Sequence, residues 1–478
     1  MKAHLNKDIL AIIAMNITFF FSTVMIFPLL VVYVKAQYHF SDVHATTLFG
    51  AFGCFFFGAA IWGGALVDRF ASRLTLPLSC LLIVLGLVCL SFNNMMLLYV
   101  SLGFLCIGAG MFQSGMNLCM SHLYSRDDPH RDVGFTLSYI GINIGATLAA
   151  FSGGFLAGHF SYHATFLMAC SGAVISMIIF LAHYQKFDFR QHPLLTRDPI
   201  VWRECFPLLA FSFIGSLLLS VLFFYANFTI RMVPILGILI VLGLAWIGNK
   251  ESREGRNKLW LLLALIVVAT GFWLLYMTSP SFLTLFISTN VNRHIFGIDI
   301  PPSVFWGLGT FFIVVLGVLF SMMWQWLADR NRMPSEASKL SFSLLFVGVA
   351  YLLIAGLIYL AKGQMVSGYW LILCYLLQTC GELCIGPIGF AMVGKLAPKR
   401  LEATLIGLWL YSNGVGSALS GLFVQHLSVP TSAHTVALSN PYYQHNFAIL
   451  GSIPFVMGIV MLAIIFISRK RLGKIKAQ

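Results

Sequence analysis

Apolar residues run in blocks of about 20, the length that crosses some 30 Å of hydrocarbon, and polar residues gather between the blocks. The blocks fall at 9–34, 43–67, 74–92, 96–125, 133–157 and 163–184, then at 206–228 and 232–248, then at 259–288, 302–328, 338–361, 367–394, 400–426 and 444–468. This pattern predicts an all-α membrane protein of 14 transmembrane helices grouped six, two and six. A polar, basic connection from Gln185 to Glu204 precedes the middle pair, and the charged run Asn249–Lys258 follows it. The expected domains are a six-helix bundle over 1–184, a segment over 185–258 holding a cytoplasmic linker and two inserted helices, and a second six-helix bundle over 259–478.

Composition agrees. The chain is 59% hydrophobic and only 9% charged, whereas soluble domains carry about 25% charged residues. With the N-terminus inside, 25 of the 29 Lys and Arg residues fall in cytoplasmic segments and only Lys35, Arg231, Arg293 and Lys362 fall outside. This asymmetry orients the chain with both termini cytoplasmic. It also accounts for the net charge of +13, so no nucleic-acid partner is expected. The basic tail Arg469–Lys476 is placed to touch anionic lipid headgroups. The ten cysteines lie mostly in apolar segments and read as small core residues. Cys380 and Cys384 flank Glu382, but a lone CxxxC is a weak metal signal. No nucleophile, metal or nucleotide motif is present, so neither enzyme activity nor a cofactor or metal is expected.

One acid stands apart. On these spans the other 15 Asp and Glu residues fall in loops or at span ends, and Glu382 alone lies at membrane depth. An ionisable group there is costly unless paired, protonated or wetted, so it is a functional site by default. Gln378 lies one turn before it on the same helix face. Pro387, with Gly386 and Gly389, is expected to loosen the helix and free carbonyls where a cavity wets them. An internal repeat supports the two halves: Leu66-Val67-Asp68-Arg69 ends the second span, and Leu327-Ala328-Asp329-Arg330 ends the matching span of the last six.

The segment Gly63–Arg73, GGALVDRFASR, resembles the loop signature of the major facilitator superfamily, with Ala71 and Ser72 where Gly and a basic residue are usual. Arg131–Gly154 is similar to the fifth core helix of the proton-dependent oligopeptide transporters, and Gly381–Trp409 to their tenth and eleventh. Phe286–Phe305 resembles the same family, whose bacterial members also carry two inserted helices. The resemblance implies a secondary transporter working by alternating access in a bacterial inner membrane, as a monomer, with a small-molecule substrate and protons as partners. It places Glu382 at the substrate's amino end, Asn143 where it helps hold the peptide backbone, Trp409 near the substrate, and Asp68, Arg69 and Arg73 at a cytoplasmic gate; Tyr139 lies one turn before Asn143 on the same helix face.

The chain departs from the family where charge is usual. The helix-one Glu-x-x-Glu-Arg-Phe motif falls on Asn16–Phe21, the helix-four lysine on Gln113, and the helix-seven glutamate and glutamine on Met277 and Thr278. The helix-eight Asn-Pro becomes Gly309-Thr310. The remaining candidates, Asn16, Thr18, Gln113, Asn117, Tyr139, Asn143, Thr278 and Asn413, are neutral and polar; they orient a ligand but do not hold a carboxylate as Arg does. The expected substrate is therefore a small peptide-like or amine-bearing solute, with coupling through Glu382 as substrate and proton site. The alternatives are a non-peptide carrier (a cation/proton exchanger or a metabolite- or siderophore-type carrier) and a transport-inactive sensor.

Overall fold

The computed structural model describes residues 7–123, 131–183, 202–250, 252–330, 332–386, 392–393, 395–398, 401–427, 429–430 and 432–476. The chain forms two compact units, Met1–Thr229 and Ile230–Gln478. Twelve helical spans among the described residues are long and apolar enough to cross a membrane, and two further helices, Tyr369–Ile385 and Glu402–His426, bring the set to the 14 expected.

The first unit holds α1 (Lys7–Val24), α2 (Ile26–Tyr38), α3 (Asp42–Ser91), α4 (Met95–Leu123), α5 (Arg131–His159), α6 (Tyr162–His183) and α7 (Trp202–Phe224). Helices α1 and α2 are one span broken only at Met25. Helix starts follow capping chemistry. The Ser41 hydroxyl accepts from the His44 amide at the head of α3, and the Asn94 carbonyl oxygen accepts from the Met96 amide at 2.9 Å at the head of α4. The polar stretch Asp68–Arg73 does not break the helix as the span pattern suggested: α3 runs unbroken for 50 residues. No Gly or Pro interrupts that stretch, and its Arg and Ala are good helix formers, so local propensity outweighs the polar signal.

Small residues set the close contacts. Gly63 lies against the Gly110 backbone and Gly110 against the Ala59 carbonyl where α3 crosses α4. Gly145 and Gly172 lie against the Ile17 and Thr18 carbonyls where α5 and α6 meet α1. Such residues let membrane helices gain dispersion and backbone contact that larger side chains would prevent. Helix α7 packs on α3 and α4 through Leu208, which joins Leu66, Phe70, Leu78, Leu82, Phe104, Ile107 and Met111 in one buried cluster.

The second unit holds most of α8 (Ala226–Gly248), then α9 (Arg253–Met277), a π-helical turn (Ser279–Leu283), α10 (Thr284–Asn290), α11 (Trp306–Asp329), α12 (Glu336–Leu360), α13 (Tyr369–Ile385), α14 (Glu402–His426) and α15 (Val436–Lys476). Helix α9 packs on α14, α11 on α13, and α12 on both α13 and α15. Short strands close one end: β1 (Val291–Asn292) pairs in parallel with β4 (Val366–Ser367), and β2 (His294–Ile295) pairs antiparallel with β3 (Ile298–Asp299). The connection between the expected spans 400–426 and 444–468 is shorter than the apolar pattern suggests, since α15 begins at Val436. Its first turns are anchored to α10: the Asn290 amide donates to Ser439 Oγ at 2.7 Å and to Asn440 Oδ1 at 2.8 Å.

Gly63→Val should therefore destabilise the protein by about 1–3 kcal/mol through overpacking, whereas Gly58→Ala, with nothing within 4 Å of its added carbon, should be neutral or better. Thermal unfolding in detergent reads the difference.

Candidate functional site

Glu382 sits on the last turn of α13, half-buried. Its side chain is hydrogen-bonded to that of Tyr276 on α9, while its second oxygen, Oε2, is buried with no partner. The ion pairs Lys35–Asp42, Lys258–Glu254, His294–Asp299 and Lys395–Glu336 do not involve Glu382. A carboxylate held this way keeps one neutral donor and one open acceptor. It can take up a proton or bind a cation, because burial without a partner makes the bare charge expensive.

Helix α9, which supplies Tyr276, packs on α14, while α13 itself packs on α11 and α12. The Tyr276 ring stacks on Phe272 at 6.0 Å and meets Trp273 edge-on at 5.8 Å. Gly416 of α14 lies against Trp273 and Leu274, which brings the two helices close. On the same helices Trp273 Nε1 and Asn413 Oδ1 are also buried without partners, one a donor and the other an acceptor. Trp409, one turn before Asn413, is buried at 5% exposure.

Two expected site residues are bonded to neighbouring groups. Gln378 is buried; its Oε1 accepts from Ser279 Oγ and its Nε2 donates to Cys374 Sγ at 3.4 Å. The Thr278 hydroxyl is bonded to the Tyr351 hydroxyl and donates to the Leu275 carbonyl at 2.6 Å. Both residues hold the π turn that follows α9. There Pro280 has no amide hydrogen to give, and nearby hydroxyls cover freed carbonyls: Ser281 donates to Met277 O at 2.9 Å and Thr284 to Ser279 O at 3.0 Å. Pro387 and Gly389 lie outside the described residues; Gly386 closes α13 by donating its amide to the Glu382 carbonyl at 2.8 Å.

In the first unit Asn16, Asn143 and Thr18 bond to a neighbouring hydroxyl or to backbone. The Asn16 amide donates to Ser138 Oγ at 2.7 Å, tying α1 to α5. Asn143 donates to the Tyr139 carbonyl at 3.0 Å, and Thr18 to the Ala14 carbonyl at 2.9 Å. Tyr139 is 44% exposed and Asn117 exposed, while Gln113 is half-buried beside Phe112, whose ring stacks on Phe19 at 3.5 Å. Asp68 and Arg69 are exposed and Arg73 half-buried. The Arg69 guanidinium lies 5.4 Å from the Phe70 ring centre and 5.7 Å from that of Phe211, so an inserted helix, α7, meets the expected gate arginine.

Sequence reasoning missed Tyr276, Ser279 and Phe211. Tyr276 was findable, since it directly precedes Met277 and Thr278 and lies one turn after Phe272. Among the described residues no group of three His, Cys, Asp or Glu side chains could hold a metal ion.

The sequence profile of the POT family matches residues 73–440. Dipeptide and tripeptide permease B of Yersinia enterocolitica is 26% identical over 443 residues, covering 91% of this chain and 90% of the relative. Dipeptide and tripeptide permease A of Klebsiella pneumoniae is 27% identical, covering 91% of this chain and 87% of the relative. Among solved structures, a mutant peptide transporter POT in complex with alafosfalin superposes with a TM-score of 0.84 at 25% identity, covering 99% of this chain and 96% of that one. A POT family transporter in complex with 5-aminolevulinic acid superposes at 0.80 with 22% identity, covering 97% of each chain.

If Thr278 serves the π turn, Thr278→Val should lower stability by about 1–3 kcal/mol, the range for a buried polar partner left unsatisfied, and leave the apparent KM for substrate unchanged. Thermal unfolding and concentration-dependent uptake on the same preparation check the two halves.

Proposed function

The chain belongs to the POT family, and on that premise we propose that it moves a small peptide-like or amine-bearing solute across the bacterial inner membrane by alternating access, coupled to protons through Glu382. It is a multi-pass inner-membrane protein with the major facilitator fold. The observation that carries the substrate reading is the buried, unpartnered Oε2 of Glu382 beside a Tyr276 hydrogen bond. A substrate ammonium supplies the missing donor and a compensating charge, and its departure leaves the carboxylate to a proton. Substrate and proton thus compete for one group.

Asn16, Gln113, Tyr139, Asn143 and Trp409 complete the contacts in this reading, with Gln378 and Thr278 supporting the site through the π turn. Asp68, Arg69 and Arg73 serve the cytoplasmic gate, with both chain termini cytoplasmic. The relatives named dipeptide and tripeptide permeases favour a peptide cargo. A second reading, exchange of an organic cation for a proton, is favoured by Met277, Thr278 and Gln113, which leave a substrate carboxylate to neutral donors such as the Trp273 indole.

Counterflow in proteoliposomes tests the proposal with a labelled dipeptide and its carboxyl-amidated form. Glu382→Gln should lower exchange of both about 10- to 100-fold, as expected when a hydrogen bond to a charged group is lost. The amidated form should exchange about as well as the dipeptide. Unchanged exchange by the variant, or binding without flux in the native protein, contradicts the proposal.

A further inference from the structure

The inserted helices α7 and α8 have no part in the proposed site, yet the boundary between the two units falls within the pair, at Thr229–Ile230. Helix α7 lies wholly in the first unit and is held along its length. Gly215 lies against Trp62 of α3 and Ile107 of α4, Gly103 of α4 lies against the Ser216 carbonyl, and the buried Phe223 ring meets Phe55 edge-on at 5.5 Å. The turn into α8 is also closed. The Tyr225 amide donates to the Val221 carbonyl at 3.1 Å, the Thr229 amide to the Tyr225 carbonyl at 3.0 Å, and the Thr229 hydroxyl to the Leu222 carbonyl at 2.8 Å. The first turn of α8 is therefore fixed to α7.

One turn further on, α8 is fixed to α14 instead. The Tyr411 hydroxyl donates to the Val233 carbonyl at 3.0 Å, and Gly237 lies against Tyr411 and Val415. Between the two attachments a helix bond is missing, since Pro234 has no amide hydrogen to give the Ile230 carbonyl. Sharp bends in helices gather at such places. Phe228, Leu236, Leu239, Leu242 and Trp246 are exposed, so a bend here disturbs few packed side chains.

We propose that α8 is the joint between the two units. Its first turn moves with the first unit, the part from Val233 onward moves with α14, and the helix bends over Ile230–Pro234 as the transporter alternates. Seven expected spans precede the α7–α8 turn, so the inserted pair is a strap on the membrane face opposite the N-terminus. Helix α14 also carries Trp409 and Asn413, which ties movement of the strap to movement of the proposed site. The joint rests on the alternating-access reading and is independent of what Glu382 binds.

Pro234→Ala, which returns the missing amide hydrogen on a good helix former, tests the proposal in proteoliposomes. It should slow dipeptide counterflow about tenfold, as expected when one more backbone hydrogen bond has to break in each cycle, without weakening equilibrium dipeptide binding or lowering the unfolding temperature. Gly237→Cys combined with Val415→Cys, oxidised to a disulfide, should leave counterflow intact, because α8 and α14 move together there. A second arm does not need transport. Spin labels at Phe160→Cys and Phe296→Cys sit at exposed turns of the two units on the same face, the latter at a strained positive φ in the β2–β3 turn. Double electron–electron resonance should give a broad distance distribution in the native background, narrowed by Pro234→Ala. Counterflow and distance spread both unchanged by Pro234→Ala, or counterflow abolished by the disulfide, overturns the joint. A native chain that binds dipeptide without counterflow, with the distribution still narrowed by Pro234→Ala, supports the joint and contradicts the transport reading alone.

Discussion

Removing a charge from water without giving it a partner is the constraint on which the second unit is built. In hydrocarbon no solvent repairs an unmet donor or acceptor, so helices satisfy their own backbones and polar side chains find one another. Thr278 with Tyr351, Ser279 with Gln378 and Asn290 with Asn440 all follow this rule. Glu382 does not, since one oxygen has Tyr276 and the other has nothing. Trp273 Nε1 and Asn413 Oδ1 break it as well, and Glu382 is the ionisable group of the three, which in the reading proposed above is where a ligand or proton completes the arrangement.

The neutral candidates form a consistent set. Where the family resemblance puts helix-seven charge, this chain has Met277 and Thr278, one buried and the other committed to the π turn. Removing a single member of a buried charged set leaves its partner uncompensated at a cost of several kcal/mol, so such charges leave together. The first unit shows the same economy, with the Asn16 amide bonded to Ser138 where the helix-one acids would lie. In the proposed reading one carboxylate, Glu382, remains to do the electrostatic work.

Much of this was legible in the sequence because the bilayer imposes a length and an asymmetry that composition records directly. Span positions and the isolation of Glu382 follow from runs of apolar residues. Details set by contact were not legible. Continuity of α3 through Asp68–Arg73 depends on local propensity that the span pattern masks. Gln378 shares a helix face with Glu382, but only packing reveals that its amide is committed to Ser279 and Cys374. The placement of Arg69 over Phe211 joins residues 142 positions apart, which no local spacing encodes. The strained Phe296 turn is invisible to hydropathy, since an aromatic in a short polar connection carries no periodic signal.

The account turns on one group serving both substrate and proton. Its most direct test is proton release measured with a pH indicator when saturating dipeptide is added to the purified protein in weakly buffered detergent, for the native chain and for Glu382→Gln. Displacement of a proton by the incoming ammonium predicts net release from the native protein and none from the variant. Equal release from both, or none from the native protein despite measured binding, would contradict it.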